Sequence, residues 1–116
     1  MQAEKYLKWS AVQNDDRIAL LLSGELSRDT LLPLWKAWRE RTFLSEKQIA
    51  DKHLLWDLAQ VKRVDSAGFA LLCNLLEYCR QTQQQNKTLR LENVPPQVVT
   101  LADLFGLTER INSLIK

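Results

Sequence analysis

The sequence is poor in the residue types on which most enzyme chemistry depends. Its 116 residues include one histidine, two cysteines and three glycines. A phosphate-binding loop needs clustered glycines, whereas Gly24, Gly68 and Gly106 are scattered along the chain. A structural zinc site needs about four cysteine or histidine ligands, and the chain offers three, far apart in sequence. We therefore expect no catalytic residues, no metal and no cofactor.

Charge and hydropathy exclude further classes of protein. The 16 basic and 14 acidic residues give a net charge of +2 with no dense basic run, which argues against a nucleic-acid-binding protein. The first residues lead into no apolar signal segment, and no apolar run approaches the roughly 20 residues of a membrane span. Cys73 and Cys79 lie six positions apart on one predicted helix, too badly oriented for a disulfide. The pattern indicates a single domain over residues 1–116 in a reducing, cytoplasmic compartment.

The hydrophobic pattern predicts four strands and four main helices in the order β-β-α-β-α-β-α-α. Strands are predicted at 6–13, 17–23, 53–57 and 88–92, and helices at 31–41, 66–83, 97–105 and 108–114. The polar 42–52 connection has a possible short helical turn at 45–50. Thr30 is the expected N-cap of the first helix, which places Pro33 in its first turn. The third main helix is expected to end just before Gly106.

These elements predict an α/β fold. The turn at 14–16 joins the first two strands as an antiparallel hairpin, and the two strand-helix-strand units are expected to be parallel, right-handed crossovers. The result is a small mixed sheet of about four strands with helices mainly on one face. The unbroken apolar run at 18–22 predicts a central strand, or one buried on both sides.

Two predicted helices carry wide apolar surfaces. In the first, Leu34, Trp35 and Trp38 recur at helical spacing with Leu31, which predicts that both tryptophans face the core. In the second, Leu71 and its neighbours extend the apolar arc beyond a normal stripe. Either a neighbouring helix covers that arc, or it forms an exposed patch that meets a partner.

The segment 57–72 carries the most information, because its strand, short loop and helix start place Asp65 and Ser66 at the positive end of a long helix. Ser66 is either the N-cap of that helix or part of a switch, since a phosphate on a helix N-terminus is stabilised by the same N–H groups. The small residues Ala67 and Gly68 would let another chain approach closely. Lys62 and Arg63, just before Asp65, are either solvated charges or contacts for an acidic partner tail or a Ser66 phosphate.

Two motifs resemble those of a known family. The sequence DSAGFALL at 65–72 is similar to the Asp-Ser/Thr-x-Gly-x-x-x-Leu signature of STAS domains, the sulfate-transporter and anti-sigma-factor-antagonist fold. The sequence SGEL at 23–26 resembles the Gly-Glu-Leu turn of the same family. Three longer segments favour the branch that serves the Mla phospholipid-transport ABC system: LLLSGEL at 20–26 followed by LLPLW at 31–35, RVDSAG at 63–68 and TLADLFGL at 100–107. The longer 42–52 connection departs from that pattern.

The resemblance implies a non-catalytic cytoplasmic subunit of a phospholipid-transport ABC complex that maintains outer-membrane lipid asymmetry. Such a subunit binds the transporter's ATPase subunit, supports its assembly and activity, and reaches the inner membrane only through the complex, with its permease and substrate-binding subunits. The residues expected at the partner surface are Asp65, Ser66, Ala67, Gly68, Phe69, Glu25 and Leu71. In the anti-sigma antagonists of the family, the serine that matches Ser66 is phosphorylated.

Three other functions remain as alternatives. The first is an anti-sigma-factor antagonist switched by phosphorylation of Ser66. The second, a small enzyme with Ser66 as nucleophile, would need a general base, and the only histidine is His53. The third, direct binding of lipid, has little room in a domain of this size.

Overall fold

The computed structural model describes residues 6–115. These residues form strands β1 (Leu7–Asn14), β2 (Arg17–Leu26), β3 (His53–Val64) and β4 (Leu89–Glu92), and helices α1 (Leu32–Arg39), α2 (Glu46–Ile49), α3 (Ser66–Thr82), α4 (Pro96–Leu104) and α5 (Thr108–Ile115). The predicted order is confirmed, and α2 is the short helical turn expected in the 42–52 connection. The expectation about the first few residues falls largely on residues 1–5, which lie outside this range.

The strands form one mixed sheet in the order β1-β2-β3-β4. Strands β1 and β2 pair antiparallel, whereas β3 runs parallel to both β2 and β4, so the predicted α/β topology is correct. The hairpin closes through a two-residue turn between Asn14 and Arg17, in which Asp15 adopts a φ of 57°. Aspartate tolerates this left-handed conformation better than most residues, which explains the turn signal in the sequence.

In the part of the chain that the structure describes, helices cover only one face of the sheet. Ile18, Leu20 and Leu22 of the central strand β2 are at most 1% exposed and point into the core. Ala19 and Leu21 alternate with them and are only half-buried on the opposite face. The run at 18–22 therefore marks a central strand, but the prediction of burial on both sides is wrong.

Strands β2 and β3 are longer than their sequence pattern predicts. The expected strands end at residues 23 and 57, whereas β2 continues to Leu26 and β3 to Val64. The two extensions pair with each other through two register shifts, one before Ser23 and one after Gly24. Such bulges break the alternation of inward and outward side chains, so the extension of β3 does not read as a strand in the sequence.

The first helix differs from its prediction in its cap and in its core face. Leu31, not Thr30, is the N-cap of α1, and Pro33 falls at its second position, where a missing N–H costs nothing. Leu34 is fully buried, but Trp35 is 38% exposed and lies beneath the Arg39 guanidinium, 4.9 Å from the ring centroid. Trp35 is therefore not a core residue.

The connection between α1 and β3 contributes to the core although it reads as polar. Leu44 and Ile49 are fully buried and Phe43 is 5% exposed. The short helix α2 is capped by Ser45, whose side chain accepts a hydrogen bond from the Gln48 N–H. The core contribution escaped prediction because its apolar residues are isolated among polar ones.

Neighbouring elements cover the wide apolar arc of α3. Leu71 is 5% exposed and Leu72 and Leu75 are fully buried. Tyr78 packs edge-on against Trp38 of α1, and its hydroxyl donates to the Leu44 carbonyl over 2.8 Å. Of the two alternatives for this arc, coverage by neighbouring elements is correct. Among residues 6–115, none of the helices is both long and apolar enough to cross a membrane.

Candidate functional site

Asp65 joins the start of α3 to the loop that follows β2. It is the N-cap of α3, and its Oδ1 accepts a hydrogen bond from the Gly68 N–H over 2.8 Å. Its Oδ2 accepts from the Arg28 N–H over 3.0 Å. Ser66 is the first residue inside the helix, so the expectation that its hydroxyl caps the helix is wrong. One carboxylate thus fixes two separate pieces of backbone.

The surroundings of Asp65 favour its ionised form. Desolvation by burial acts to raise the pKa of this carboxyl, but the N–H groups of Gly68 and Arg28 and the charge of Arg63 outweigh it. The net result is a lowered pKa. The carboxylate therefore offsets the positive end of the α3 dipole from within the protein itself.

The loop after β2 is a closed hydrogen-bonded turn. The buried Ser27 hydroxyl donates to Glu25 Oε2 over 2.6 Å, and the Thr30 hydroxyl donates to the Glu25 carbonyl, also over 2.6 Å. The Ser27 N–H donates in turn to Thr30 Oγ1 over 3.0 Å. Glu25 is 8% exposed, so its carboxylate shapes this turn from within.

Gly68 lets the first turn of α3 lie directly against the end of β2. A Cβ atom at this position would stand 1.9 Å from the Leu26 carbonyl oxygen and 2.5 Å from its carbon. No side chain fits within these distances, so α3 can approach this closely only where glycine stands. The space at Gly68 is therefore filled by the protein's own backbone, not by a second chain.

The seven residues predicted for the partner surface separate into two groups. Ser66 is exposed and Ala67 half-buried, and Ala70 in the next turn is exposed beside them. Asp65 is half-buried and occupied by its two N–H donors. The other four, Glu25, Gly68, Phe69 and Leu71, are buried in this chain. Their packing holds the exposed small residues in position, and their own place at the partner surface stays a prediction.

Two exposed apolar residues that the sequence reasoning missed lie beside this surface. Phe105 stacks on Phe69 with the ring centroids 6.0 Å apart and the planes at 14°, yet remains 57% exposed. The preceding Leu104 is 73% exposed. Gly106, with a φ of 72°, ends α4 as predicted, so this apolar pair lies at a helix end. The predicted end of this helix was the feature of the sequence that could have located the pair.

The first turns of α1 add two more exposed apolar residues. Leu32 is 62% exposed and Trp35 is 38% exposed. Helix α1 begins directly after the turn that Asp65 binds through Arg28. The candidate site is accordingly the exposed surface formed by Ser66, Ala67 and Ala70. Phe105 adjoins it through its stacking on Phe69, and Leu104 precedes Phe105 in the chain. The start of α1 follows the turn that Asp65 binds.

The geometry does not support nucleophilic catalysis at Ser66. His53 is the first residue of β3, whereas Ser66 lies two positions beyond Val64, the last residue of that 12-residue strand. The imidazole is engaged there, since Nδ1 is 3.0 Å from both the N–H nitrogen and the hydroxyl of Thr88. Within residues 6–115, no three side chains of the metal-ligating types come together. The arrangement therefore suits binding through the shape of the surface.

Asp65→Asn is expected to make the domain less stable by about 1 kcal/mol at pH 7, because the amide keeps one acceptor but opposes the Arg28 N–H with a donor. The folded-state pKa of Asp65 is lowered. Its contribution is therefore present above the unfolded value of 3.8 and is lost as the pH falls through the lower folded value. Urea unfolding of both proteins from pH 7 to pH 2.5 measures this.

The two stability curves should converge at the acidic end of that series. Asp29→Asn is the matched control, because the exposed Asp29 carboxylate accepts no hydrogen bond within residues 6–115. A constant difference between wild type and Asp65→Asn at every pH would contradict the ionised, doubly bonded carboxylate.

Comparisons with known proteins agree on one family. A family profile described as "Mlab, STAS domain" matches residues 9–116. The "Intermembrane phospholipid transport system binding protein MlaB" of Haemophilus influenzae is 46% identical over 109 residues, 94% of this chain and 99% of the relative. The protein of the same name from Escherichia coli is 37% identical over 101 residues, 87% of this chain and 89% of the relative.

The fold comparison agrees with the sequence comparison. The solved structure of the anti-sigma factor antagonist SpoIIAA in its unphosphorylated form superposes with a TM-score of 0.58. The superposition covers 94% of this chain and all of SpoIIAA, at 16% sequence identity. At that identity the likeness shows the STAS fold alone.

Proposed function

Since the chain belongs to the STAS domain family, in the group of MlaB proteins, we propose that it is a binding subunit of an intermembrane phospholipid-transport system. In this proposal it binds the ATPase subunit of an ABC transporter and supports the assembly and activity of that subunit. It carries out no catalysis itself. The transporter it serves maintains the lipid asymmetry of the outer membrane.

One observation carries the proposal: the identity of 46% to a protein named for phospholipid transport extends over 94% of this chain and 99% of that relative. A match of this extent leaves no unmatched domain in the relative to perform the named function. The identity to SpoIIAA is much lower, which favours transport over control of a sigma factor.

The geometry at the start of α3 suits a binding subunit. Small exposed residues allow a partner's backbone or side chain to approach closely, and the exposed apolar residues beside them supply area to bury. Ser66 and Ala70 provide the first feature, and Leu104 and Phe105 the second. Because Asp65 and Gly68 fix this surface to β2, it is presented in one conformation, which lowers the entropy cost of binding.

The proposed location follows from the proposed partner. We place the protein in the cytoplasm, where ABC transporter ATPases hydrolyse ATP, and at the inner membrane only through the ATPase and the permease. The substrate-binding subunit belongs to the same complex but is not a direct partner in this proposal.

Phosphorylation of Ser66 is the less favoured alternative. A phosphate on Ser66 would lie next to the Asp65 carboxylate, which already accepts from two backbone N–H groups. Like charges this close repel, so a phosphate on Ser66 would act as a switch by disturbing this surface. The preference for transport rests on the higher identity to the two MlaB relatives.

Native purification with mass spectrometry tests the proposed function. The tagged protein, purified from its own cells in mild detergent, should bring down an ABC ATPase and its permease, with Ser66 unmodified. Recovery of a protein kinase together with phosphorylated Ser66 would instead establish the anti-sigma alternative. Recovery of neither an ATPase nor a permease would overturn the proposal.

Leu104→Ser is expected to weaken binding of the ATPase about five- to tenfold, because it removes exposed apolar area from the proposed binding surface. Its thermal stability should stay close to wild type, since Leu104 is 73% exposed. Isothermal titration with the purified ATPase subunit measures the affinity. Val12→Ser, on the uncovered sheet face and 59% exposed, is the matched control and should bind normally. Equal affinities for all three proteins would exclude Leu104 from the interface.

A further inference from the structure

Around the start of α3, two carboxylates are used inside the protein, whereas the cations lie on the surface. Two of the carboxylates are used internally: Asp65 by the N–H groups of Gly68 and Arg28, and Glu25 by the Ser27 hydroxyl. The Glu25 side chain is 10% exposed. Neither carboxylate is free to bind a partner's cation, and Asp29 is the one exposed carboxylate in the turn at residues 25–30.

The cations of the same region face outward. Arg28, in the turn bound by Asp65, and Lys62, at the second bulge of β3, are exposed and form no ion pair within residues 6–115. Arg63 pairs in register with Glu25, and one guanidinium nitrogen lies 3.5 Å from Glu25 Oε2. Its side chain is nevertheless 63% exposed. Arg28, Lys62 and Arg63 are thus exposed in the turn after β2 and at the end of β3, and the turn itself has one exposed carboxylate, Asp29.

Arg63 lies against Glu25 through one part of its guanidinium, while most of the side chain is exposed. A guanidinium has five N–H donors in a fixed plane, and the contact with Glu25 uses only one edge of it. The half-anchored side chain loses less rotational freedom on binding than a free one would. The free edge has the geometry that binds a carboxylate through two parallel hydrogen bonds.

We infer that this surface binds an acidic segment of the partner protein, and that Arg63, oriented by Glu25, makes its principal charged contact. The inference rests on the proposed function, because the partner is the ATPase subunit. It adds the chemistry of the partner: one or more carboxylates positioned next to the small residues Ser66 and Ala67. Complementary charge of this kind sets orientation and rate of association as well as affinity.

The test is titration of the purified ATPase subunit with wild type and Arg63→Glu at several salt concentrations. Wild-type affinity should fall as salt rises, because screening weakens exposed charge pairs. Arg63→Glu should bind at least about tenfold more weakly at low salt, with the difference shrinking at high salt. Glu25→Gln should show a smaller loss in the same direction, since it leaves Arg63 in place but unanchored.

Arg17→Glu is the matched control, because Arg17 is exposed at the opposite end of β2. It should bind like wild type. Wild-type binding that is independent of salt, or equal affinities for Arg63→Glu and Arg17→Glu, would overturn the inference and leave the proposed function intact. A wild-type protein that does not bind the ATPase at any salt concentration would overturn the proposed function itself.

Discussion

Ser66→Glu is expected to reduce binding of the ATPase at least about 100-fold while the domain stays folded. Ser66 is exposed at the first position of α3, so a larger side chain fits without disturbing the core. An acidic residue in the first turn of a helix is favourable for the helix itself. At a surface that we infer to bind carboxylates, the same charge repels the partner. Titration calorimetry and thermal unfolding measure the two effects separately.

Ser66→Arg should bind as weakly for a different reason, because its long side chain fills the space that the small residues leave open. Ser10→Glu, on the exposed part of β1, is the matched control and should bind normally. Ser66→Ala should bind close to wild type and unfold at about the same temperature, since Asp65 caps the helix. Normal binding by both Ser66→Glu and Ser66→Arg would defeat the assignment of this surface.

Gly68→Ala is expected to destabilise the domain by about 3 kcal/mol or more and to abolish binding with it. Helix propensity alone predicts the opposite, a gain of about 1 kcal/mol for alanine over glycine inside a helix. The contact with Leu26 decides whether the substitution stabilises or destabilises the domain, since the new Cβ would stand 1.9 Å from the Leu26 carbonyl oxygen. The backbone of β2 or α3 must move to relieve it, and the Asp65 bridge would move too. Urea unfolding monitored by tryptophan fluorescence measures the loss.

Gly106→Ala is the matched control for this substitution. A Cβ at Gly106 meets nothing within 4 Å, but the φ of 72° disfavours any side chain, so the expected cost is about 1 kcal/mol. If Gly68→Ala proved as stable as wild type, α3 could not lie as close to β2 as the structure has it.

The sequence was most informative where one local rule decided the structure. The order of strands and helices, the hairpin turn at Asp15 and the glycine at the end of α4 all follow from local backbone preferences. The motif around Ser66 also located the candidate surface. These features depend on neighbours in the chain, which a single sequence displays directly.

Features that depend on distant partners were not predictable. The cap of α3 is Asp65 and not Ser66; both residue types cap helices, and only the fold brings the Arg28 N–H to Asp65. Trp35 occupies an apolar helical position, yet within residues 6–115 no element covers that side of α1 sufficiently to bury it. The last part of β3 follows two bulges. The pairing with β2 sets the register there, and the sequence of β3 alone does not show it.

The central claim is that the partner binds at the start of α3, and hydroxyl-radical footprinting of the complex with the ATPase subunit tests it most directly. The method reports solvent access at aromatic and aliphatic side chains, several of which are exposed in the free protein. We expect strong protection of Leu104 and Phe105 and of Trp35 on α1. Tyr6 and Val12, 68% and 59% exposed, should react equally with and without partner. Protection of Tyr6 and Val12 with unchanged reactivity at Leu104 and Phe105 would place the interface elsewhere and contradict the account.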